Sequence, residues 1–387
     1  MNNLDSRHSQ FPVSNSLNYA EDYCANSIYL DAPNVGEEEK EYLIRAVDSG
    51  FVSTIGPFVA QIEDEFAKIL NVSNAVATQS GTAAIHMALI ELGIGPGDEV
   101  IIPSLTFVAT INPILYVGAI PVMVDIDQNL WTMDVSLIRD AITKRTKAII
   151  PVHLYGNACD MGTIQDIADH YNLYVIEDAT ESLGSKYCGS FLGTIGDFGC
   201  FSFNGNKTIT TGGGGMLIGK DNKRLEHTAF LVNQAKENDS HPEVGYNYRM
   251  TNIEAAMGLG QISKLSIFLD KKKCFKELYL SNLADVPGVH FQQSLEDTLF
   301  IPWLNAIYID NSIDIVKLQE ELQLKGIPTR RVFYPLHKML PYQNFCYLGG
   351  NNAWNIYENS LCLPSSTLNS EQNIIKACDV LKACLGE

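Results

Sequence analysis

Residues 100–124 read VIIPSLTFVATINPILYVGAIPVMV and contain no charged side chain. A run of 25 residues is long enough to span a bilayer as a helix. However, prolines at positions 103, 113 and 121 and a glycine at position 118 divide it into shorter segments. The pattern therefore predicts a strand over Val100–Pro103, a helix over Thr106–Val117 and a strand over Ile120–Val124. We interpret the stretch as a buried β-α-β unit.

The same alternation of strand and helix continues through the first two-thirds of the chain. Apolar runs over residues 148–154 and 173–176 flank residues 163–171, which have helical spacing. This alternation is typical of an α/β fold with a mostly parallel sheet, and long helical stretches follow residue 251. We therefore expect three parts, namely a flexible N-terminal tail over residues 1–28, a large α/β domain over 29–265 and a small C-terminal α+β domain over 266–387.

Charge and cysteine content narrow the class of protein. The chain has 27 basic and 45 acidic residues, which gives a net charge of −18 and argues against nucleic acid or an anionic membrane as the main partner. Its nine cysteines include no Cys-x-x-Cys pair, and those at 274, 346, 362, 378 and 384 lie in apolar or helical surroundings, which is typical of reduced thiols. Residues 1–25 lack the apolar core of a signal peptide. These features predict a cytoplasmic protein.

Two charged clusters are interpreted without a functional role. Asp125, Asp127 and Asn129 resemble the start of a calcium loop, but Leu130 replaces the required glycine and no glutamate follows at the required position. We therefore expect no metal site. The run of three lysines at 271–273 is interpreted as an exposed helix face.

Lys207 is the first candidate for chemistry. It follows the apolar segment Phe198–Phe203 and precedes four glycines at positions 212–215, so it has apolar neighbours in a strand-loop-strand unit. Burial of a lysine lowers its pKa, and the free amine is the form that attacks an aldehyde. A structural lysine in a loop is the alternative interpretation.

Two segments upstream have chemistry that complements a reactive lysine. Residues 173–176 predict a short buried strand that ends in carboxylates, Asp178 among them. Ligands bind at the carboxyl ends of such strands, and a carboxylate there suits a pyridinium nitrogen that must stay protonated. Residues 80–82, Ser-Gly-Thr, open a predicted helix whose free N–H groups suit a phosphate. An ordinary helix cap is the alternative interpretation of this segment.

A phosphate cradle, a carboxylate and a lysine in this order describe a pyridoxal phosphate site. The sequence resembles the DegT-type nucleotide-sugar aminotransferases, which are fold-type I pyridoxal phosphate enzymes acting on keto-sugars. The resemblance runs from about residue 30 to the C-terminus. It is carried by five blocks, namely QSGTAA at 79–84, PSLTFVAT at 103–110, EDATE at 177–181, FSF at 201–203 with Lys207, and GYNYRM at 245–250.

The resemblance implies roles for the matching residues. Lys207 would bind the cofactor covalently through its amine and later move a proton between cofactor and substrate. Asp178 would pair with the pyridine nitrogen, and Phe107 would stack on the ring. The phosphate would be held by backbone and side-chain groups of Gly81, Thr82 and Ser202.

Other implied roles concern the partner subunit and departures from the family pattern. Asn247 would reach the phosphate in the neighbouring subunit, so the protein would be a homodimer with composite active sites. Glu181, near the ring hydroxyl, stands where many relatives carry glutamine. Gly213 stands where many relatives carry glutamate.

The resemblance also supplies substrate candidates. Residues 330–337 read RRVFYPLH and resemble the Tyr-Pro-x-Pro-Leu-His region near the family's sugar pocket. Arg330 or Arg331 would bind a substrate carboxylate or phosphate, and His337 ends the same segment. His153, at the end of a predicted strand, is a further candidate. A histidine that is satisfied by protein partners is the alternative interpretation for His153.

The implied activity is transfer of an amino group from L-glutamate to the 4-keto carbon of a nucleotide-linked 4-keto-6-deoxy sugar. The Asn-Gly-Asn before Lys207 and the four glycines are most similar to the branch that serves legionaminic acid and bacillosamine-type glycans, which suggests a UDP-2-acetamido-2,6-dideoxy-4-keto-hexose. A GDP-perosamine-type synthase or another keto-sugar transaminase stays open.

A non-catalytic regulator that binds sugar nucleotides is the alternative from a different class. The presence of Lys207 together with Asp178 favours the enzyme, since a binding module needs no such nucleophile. The same lysine disfavours a sugar 3-dehydratase of this fold, because those enzymes carry histidine in its place.

Overall fold

The computed structural model describes residues 27–310 and 313–386. The helices are α1 Glu37–Asp48, α2 Pro57–Leu70, α3 Gly81–Glu91, α4 Val108–Tyr116, α5 Ile138–Ala141, α6 Met161–Tyr171, α7 Asn222–Val232, α8 Asn252–Ser263, α9 Leu265–Leu283, α10 Ile315–Leu324, α11 Asn352–Asn359 and α12 Glu371–Leu385. The strands are β1 Ala75–Thr78, β2 Glu99–Pro103, β3 Ile120–Val124, β4 Thr146–Ile149, β5 Tyr174–Asp178, β6 Lys186–Tyr187, β7 Ser190–Phe191, β8 Phe198–Ser202, β9 Gly215–Gly219, β10 Val289–Phe291, β11 Thr298–Leu299, β12 Asn305–Ile309, β13 Arg330–Arg331, β14 Cys346–Leu348 and β15 Ser360–Leu363.

A large mixed sheet organises the fold, in the order β1-β9-β8-β5-β4-β2-β3-β14. Its neighbours run parallel from β8 through β14, and only β9 is antiparallel to the strands on its two sides. The prediction of an α/β fold with a mostly parallel sheet is confirmed. Because parallel strands share one carboxyl edge, the loops after β1, β2, β4, β5 and β8 meet there.

The predicted β-α-β unit is also confirmed. β2 pairs in parallel with β3, with Val100 opposite Pro121, and α4 connects them. The helix begins at Val108 rather than at residue 106, because Phe107 has the extended backbone of an N-cap residue. Every residue of β2 is buried, which explains its unbroken apolar sequence: Val100 and Ile102 pack into one core cluster and Ile101 into another.

The C-terminal part contains a second sheet, in the order β10-β12-β15-β13. Helices α9, α10 and α12 cover it, and their contacts bury a separate apolar cluster that includes Phe275, Leu318 and Ile374. Strand β14, although it also lies after residue 266, pairs with β3 in the large sheet. The division of the chain at residue 265 stays a prediction, and the predicted tail falls, over residues 1–26, outside the described residues.

The interpretation of the lysine run as an exposed face is wrong for its central residue. Lys272 is only 5% exposed, whereas the side chain of Lys273 is 40% exposed. The reason is helical spacing, because Lys272 lies on the buried stripe of α9. The other buried residues of this helix are Leu265, Phe268, Phe275, Tyr279 and Leu283.

Two further observations concern cysteines and membranes. The eight cysteines in the described ranges are free thiols. Among the helices of residues 27–310 and 313–386, none combines the length and apolar character that crossing a membrane requires. The cytoplasmic location stays a prediction.

Candidate active site

A cavity of about 310 Å³ lies at the carboxyl edge of the large sheet. Its walls come from the loops after β1, β2, β4, β5 and β8 and from the C-terminal part of the chain. Eight of the residues predicted from the sequence line this cavity, namely Gly81, Thr82, Phe107, Asp178, Glu181, Ser202, Lys207 and Arg330. The structure thus brings together residues that are up to 249 positions apart, from Gly81 to Arg330.

Lys207 reaches the cavity from the loop that follows β8. Its backbone N–H donates to the carbonyl of Asn204 at 3.0 Å, which closes a tight turn before the glycine segment. Its Nζ lies 3.3 Å from Glu181 Oε1 and 3.8 Å from the ring centre of Trp303. The side chain is 13% exposed, so the amine is shielded from bulk water and still faces the cavity.

Asp178 ends β5 and presents a firmly held carboxylate. Oδ2 accepts a hydrogen bond from Thr110 Oγ1 at 2.7 Å, and Oδ1 accepts from Thr180 Oγ1 at 2.7 Å and from the Thr180 N–H at 3.2 Å. The residue is 3% exposed and lines the cavity. These bonds fix the direction in which the charge is presented, as a partner for a ring nitrogen requires.

The N-terminus of α3 also lines the cavity. The Ser80 hydroxyl accepts from the Ala83 N–H at 3.0 Å, while the first N–H groups of the helix, those of Gly81 and Thr82, have no partner within the helix. A Cβ on Gly81 would lie 2.8 Å from Thr180 Cγ2 and 3.0 Å from Ser202 Cβ. Glycine is therefore required for this close packing, which leaves a cradle of N–H groups suited to a phosphate.

Glu181 links the lysine to the interior. Oε2 accepts from the N–H of Tyr155 at 2.9 Å, and Oε1 faces Lys207. Burial raises the pKa of the Glu181 carboxyl group, and the charge of Lys207 opposes this shift. The Tyr155 backbone has φ 56°, a conformation that side chains rarely adopt, so the hydrogen bond to Glu181 helps to hold a strained turn.

Aromatic side chains line the side of the cavity towards the C-terminal part. Phe107 is 54% exposed, and its ring lies 5.6 Å from that of Phe333. Arg330 Nη1 donates to Asp31 Oδ2 at 3.2 Å, and its guanidinium carbon lies 5.2 Å from the Trp303 ring centre. Arg330 Nη2 is buried and has no hydrogen-bond partner among the described residues.

His153 does not lie on the cavity wall. It is fully buried, its Nδ1 accepts from the Cys159 N–H at 3.2 Å, and its Nε2 lies 2.9 Å from Glu177 Oε2. Since Nδ1 accepts, the ring proton is on Nε2 and is donated to Glu177. This geometry matches the alternative of a histidine satisfied by protein partners and does not support a substrate contact.

Arg331 and His337 also lie away from the cavity. The Arg331 guanidinium donates to the Tyr357 carbonyl and lies 4.3 Å from the Tyr357 ring centre. The His337 ring stacks on Tyr347 with centroids 4.0 Å apart, and burial lowers the pKa of this imidazole. Their predicted substrate roles find no support in the geometry of a single chain, because neither residue lines the cavity.

Asn247 is exposed, and its backbone forms an isolated bridge with Asn233. It does not line the cavity of its own chain. Its predicted reach into a neighbouring subunit stays a prediction.

At Gly213, where many relatives carry glutamate, the carboxylate of another residue lies close by. A Cβ built on this glycine would lie 3.1 Å from Glu254 Oε1. Glu254 Oε2 accepts from the N–H and the hydroxyl of Thr251 at the start of α8. A carboxylate from α8 therefore already occupies the space beside Gly213.

Several cavity residues escaped the sequence analysis. Thr110 and Thr180 lie inside the quoted blocks, and the hydroxyl of Thr106, which lies just before α4, is 2.8 Å from that of Thr110. Phe333 lies in the quoted block at 330–337 but was not singled out, and Trp303 comes from a part of the chain that no local pattern marks. The structure identifies both residues, because the fold places them on the cavity wall.

The calcium-like segment has a structural role. The Asp125 carboxylate accepts from the N–H groups of Ile126, Gly350, Asn352 and Ala353, so it anchors the segment before α11. Within the described ranges, no cluster of three His, Cys, Asp or Glu residues could hold a metal ion.

Comparisons with known proteins identify the family of the chain. Residues 33–382 match the model of the DegT/DnrJ/EryC1/StrS aminotransferase family. The chain is 40% identical over 350 residues to GDP-perosamine synthase from Escherichia coli O157:H7, which covers 90% of this chain and 95% of that protein.

Solved structures are similar over the same extent. The PLP form of Spr1654 from Streptococcus pneumoniae has a TM-score of 0.86 at 28% identity and covers 92% of this chain and 98% of that one. DesI, solved in the presence of its TDP-sugar product, has a TM-score of 0.86 at 29% identity and covers 93% of both chains.

Lys207, Asp178 and the N-terminus of α3 line one cavity, and the family match and the similar structures show the class, a pyridoxal phosphate-dependent enzyme of fold type I. The chain belongs to the DegT/DnrJ/EryC1/StrS aminotransferase family and is a sugar aminotransferase.

Proposed function

We propose that this aminotransferase moves an amino group from L-glutamate to the 4-keto carbon of a nucleotide-linked 4-keto-6-deoxy sugar. The observation that carries the proposal is the convergence of Lys207, Asp178 and the N-terminus of α3 on one cavity. Lys207 is the nucleophile and proton carrier, Asp178 the partner of the ring nitrogen, and the α3 N–H groups with Ser202 hold the phosphate.

The residues fit pyridoxal phosphate on structural grounds. Gly81 packs closely against Thr180 and Ser202, and the first N–H groups of α3, which have no partner within the helix, would hold the phosphate. When bound, pyridoxal phosphate supplies an electron sink for negative charge at the substrate carbon. The protein orients the amine and holds the carboxylate, Phe107 would stack on the ring, and buried Trp303 shields the amine from water.

Arg330 is the best candidate for an anionic substrate group. Its Nη2 is buried without a hydrogen-bond partner among the described residues, and an unsatisfied buried donor is costly. A glutamate carboxylate or a diphosphate oxygen would satisfy this donor with a charge-assisted hydrogen bond. Arg331 donates to the Tyr357 carbonyl, and neither Arg331 nor His337 lines the cavity, so both are weaker candidates.

The identity of the sugar nucleotide rests on two different arguments. The Asn-Gly-Asn before Lys207 favours a UDP-2-acetamido-2,6-dideoxy-4-keto-hexose, as the sequence analysis expects. The 40% identity to GDP-perosamine synthase favours a GDP-linked 4-keto-6-deoxyhexose. Because this identity extends over 90% of the chain, we propose the GDP-linked and the UDP-linked sugar as equal candidates for the substrate.

The test is direct. The purified protein is loaded with pyridoxal phosphate and incubated with L-glutamate and with UDP- or GDP-linked 4-keto-6-deoxy sugars, and the products are measured by mass spectrometry. One sugar nucleotide should gain an amino group while glutamate becomes 2-oxoglutarate, and Lys207→Ala should form no product. Amination of none of these sugars would refute the proposed substrate class.

The assembly belongs to the same proposal. A homodimer with composite sites would place Asn247 of one subunit beside the phosphate cradle of the other. The exposed position of Asn247 on its own chain is compatible with such a contact.

A further inference from the structure

Trp303 contacts the lysine loop twice, although it belongs to the C-terminal part of the chain. The centre of its indole ring lies 3.8 Å from Lys207 Nζ. Its Nε1–H donates to the Asn206 carbonyl at 2.6 Å. One side chain that is 3% exposed therefore touches both the reactive amine and the peptide that precedes it.

The backbone of Trp303 is held from two sides. Its N–H donates to the Tyr155 carbonyl at 2.9 Å, and its carbonyl accepts from Lys272 Nζ at 2.7 Å. Lys272 Nζ also donates to the Ser365 carbonyl at 3.1 Å. A lysine amine buried among carbonyls is unusual, because such a group is costly to remove from water.

The remaining contacts of the loop lead to the same region. Asn206 Nδ2 donates to Asp31 Oδ2 at 2.9 Å, and the same oxygen accepts from Arg330. The segment of residues 206–207 is thus held between Asp31, which precedes α1, and Trp303. Its position depends on groups outside the large sheet.

We propose that Trp303 is a positioning residue for Lys207 and that buried Lys272 fixes Trp303 in turn. The inference rests on the proposed role of Lys207 as the nucleophile. A lysine side chain has several rotatable bonds, and packing against an aromatic face restricts them. The indole selects the arrangement in which Nζ faces Glu181 and the cavity, and the bond to Asn206 keeps the loop from moving.

The test measures attachment of the cofactor rather than turnover. Cofactor-free protein is mixed with pyridoxal phosphate, quenched with borohydride at intervals, and the pyridoxyl group on the Lys207 peptide is measured by mass spectrometry. Trp303→Leu should slow attachment about tenfold, the scale of the rotamer freedom that an unrestrained lysine side chain regains. Trp303→Phe keeps an aromatic face and should recover most of the rate, and Lys272→Met should slow attachment about threefold.

Matched variants separate positioning from general damage to the fold. Lys273→Met and Trp354→Phe change the same residue types outside this contact and should attach the cofactor at the wild-type rate. Thermal unfolding followed by circular dichroism identifies variants that do not fold. The chain has three tryptophans, so quenching of their fluorescence by the attached cofactor should fall in Trp303→Phe and persist in Trp354→Phe.

The outcomes distinguish the two proposals. Folded Trp303→Leu and Lys272→Met proteins that label Lys207 at the wild-type rate would overturn the positioning role alone. Wild-type protein that carries no pyridoxyl group on Lys207 would overturn the proposed function, and the inference with it.

Discussion

Lys207 and Lys272 are both shielded from water, but their surroundings differ. Lys207 lies beside the Glu181 carboxylate and faces a cavity. Lys272 lies on the buried stripe of α9 and donates to two main-chain carbonyls. Burial lowers the pKa of Lys272 to about 7, and the charge of Asp31 only partly opposes this shift.

The difference shows that burial alone does not make a lysine reactive. An amine with a low pKa is a better nucleophile at neutral pH, and by this criterion Lys272 would be the candidate. However, its Nζ is enclosed by protein, so no reactant can approach it. Lys207 instead faces a cavity that Glu181, Asp178 and the N-terminus of α3 also line. The predictions below test this contrast.

The largest effect should come from removing the two amines in turn. Lys207→Ala should lower the turnover rate by about a thousandfold or more, the scale of losing a covalent catalytic group. Lys272→Met should lower it less than about tenfold, since Lys272 acts only through Trp303. The measurement is the rate of 2-oxoglutarate formation with a sugar acceptor. Equal losses in the two folded variants would contradict the assignment of Lys207.

A smaller loss should follow from neutralising Asp178. Asp178→Asn keeps the size of the side chain and removes the charge that holds the ring nitrogen protonated. The turnover rate should fall by about a hundredfold to a thousandfold, as for other electrostatic catalytic groups. Cofactor affinity should change less. Thr110→Val, which removes one donor to the carboxylate, is the graded control, and a loss below about tenfold for Asp178→Asn would refute the role.

The sequence predicted those cavity residues that lie at or shortly after the end of a strand. Asp178 ends β5, and Gly81 and Lys207 lie shortly after β1 and β8. Because the carboxyl ends of parallel strands lie along one edge of a sheet, these residues come together. The sheet and the unit β2-α4-β3 could also be predicted, because buried strands appear in the sequence as unbroken apolar runs.

Long-range contacts could not be predicted in this way. The hydrogen bond from Trp303 to Asn206 joins residues 97 positions apart, and no local spacing signals it. Lys272 is different, because its spacing from Phe268 and Phe275 already places it on the apolar stripe of α9. The charge of the lysine run obscured that periodicity.

A neighbouring subunit should affect the Lys207 site but not the surroundings of Lys272. If the Lys207 site is completed by Asn247 of a neighbouring subunit, Asn247→Ala should weaken cofactor retention by about tenfold to a hundredfold, the worth of a hydrogen bond to a charged group. The enclosure of Lys272 should not change. Dialysis followed by absorbance of the remaining cofactor measures the loss.

Mixing variants tests the composite site itself. A hybrid of Lys207→Ala and Asn247→Ala chains would combine both changes in one site and leave the other native. Activity should return to about half of the native value per hybrid dimer. No recovery, despite demonstrated exchange of subunits, would place the action of Asn247 within its own chain.

The smallest effect concerns stability and distinguishes Lys272 from its neighbour. In the unfolded chain a lysine keeps its proton up to about its ordinary pKa of 10.5, whereas folded Lys272 releases it near pH 7. Between these values the unfolded state binds more protons, so the stability of the wild type rises with pH relative to Lys272→Met. The cost of burying the charge is fully present below about pH 7 and disappears above about pH 10.5. From about pH 7.5 to about pH 8.5 the relative gain should be about 1 kcal/mol, measured by urea unfolding. Lys273→Met, which changes a more exposed lysine, should follow the wild type, and parallel curves for all three proteins would show that Lys272 keeps its ordinary pKa.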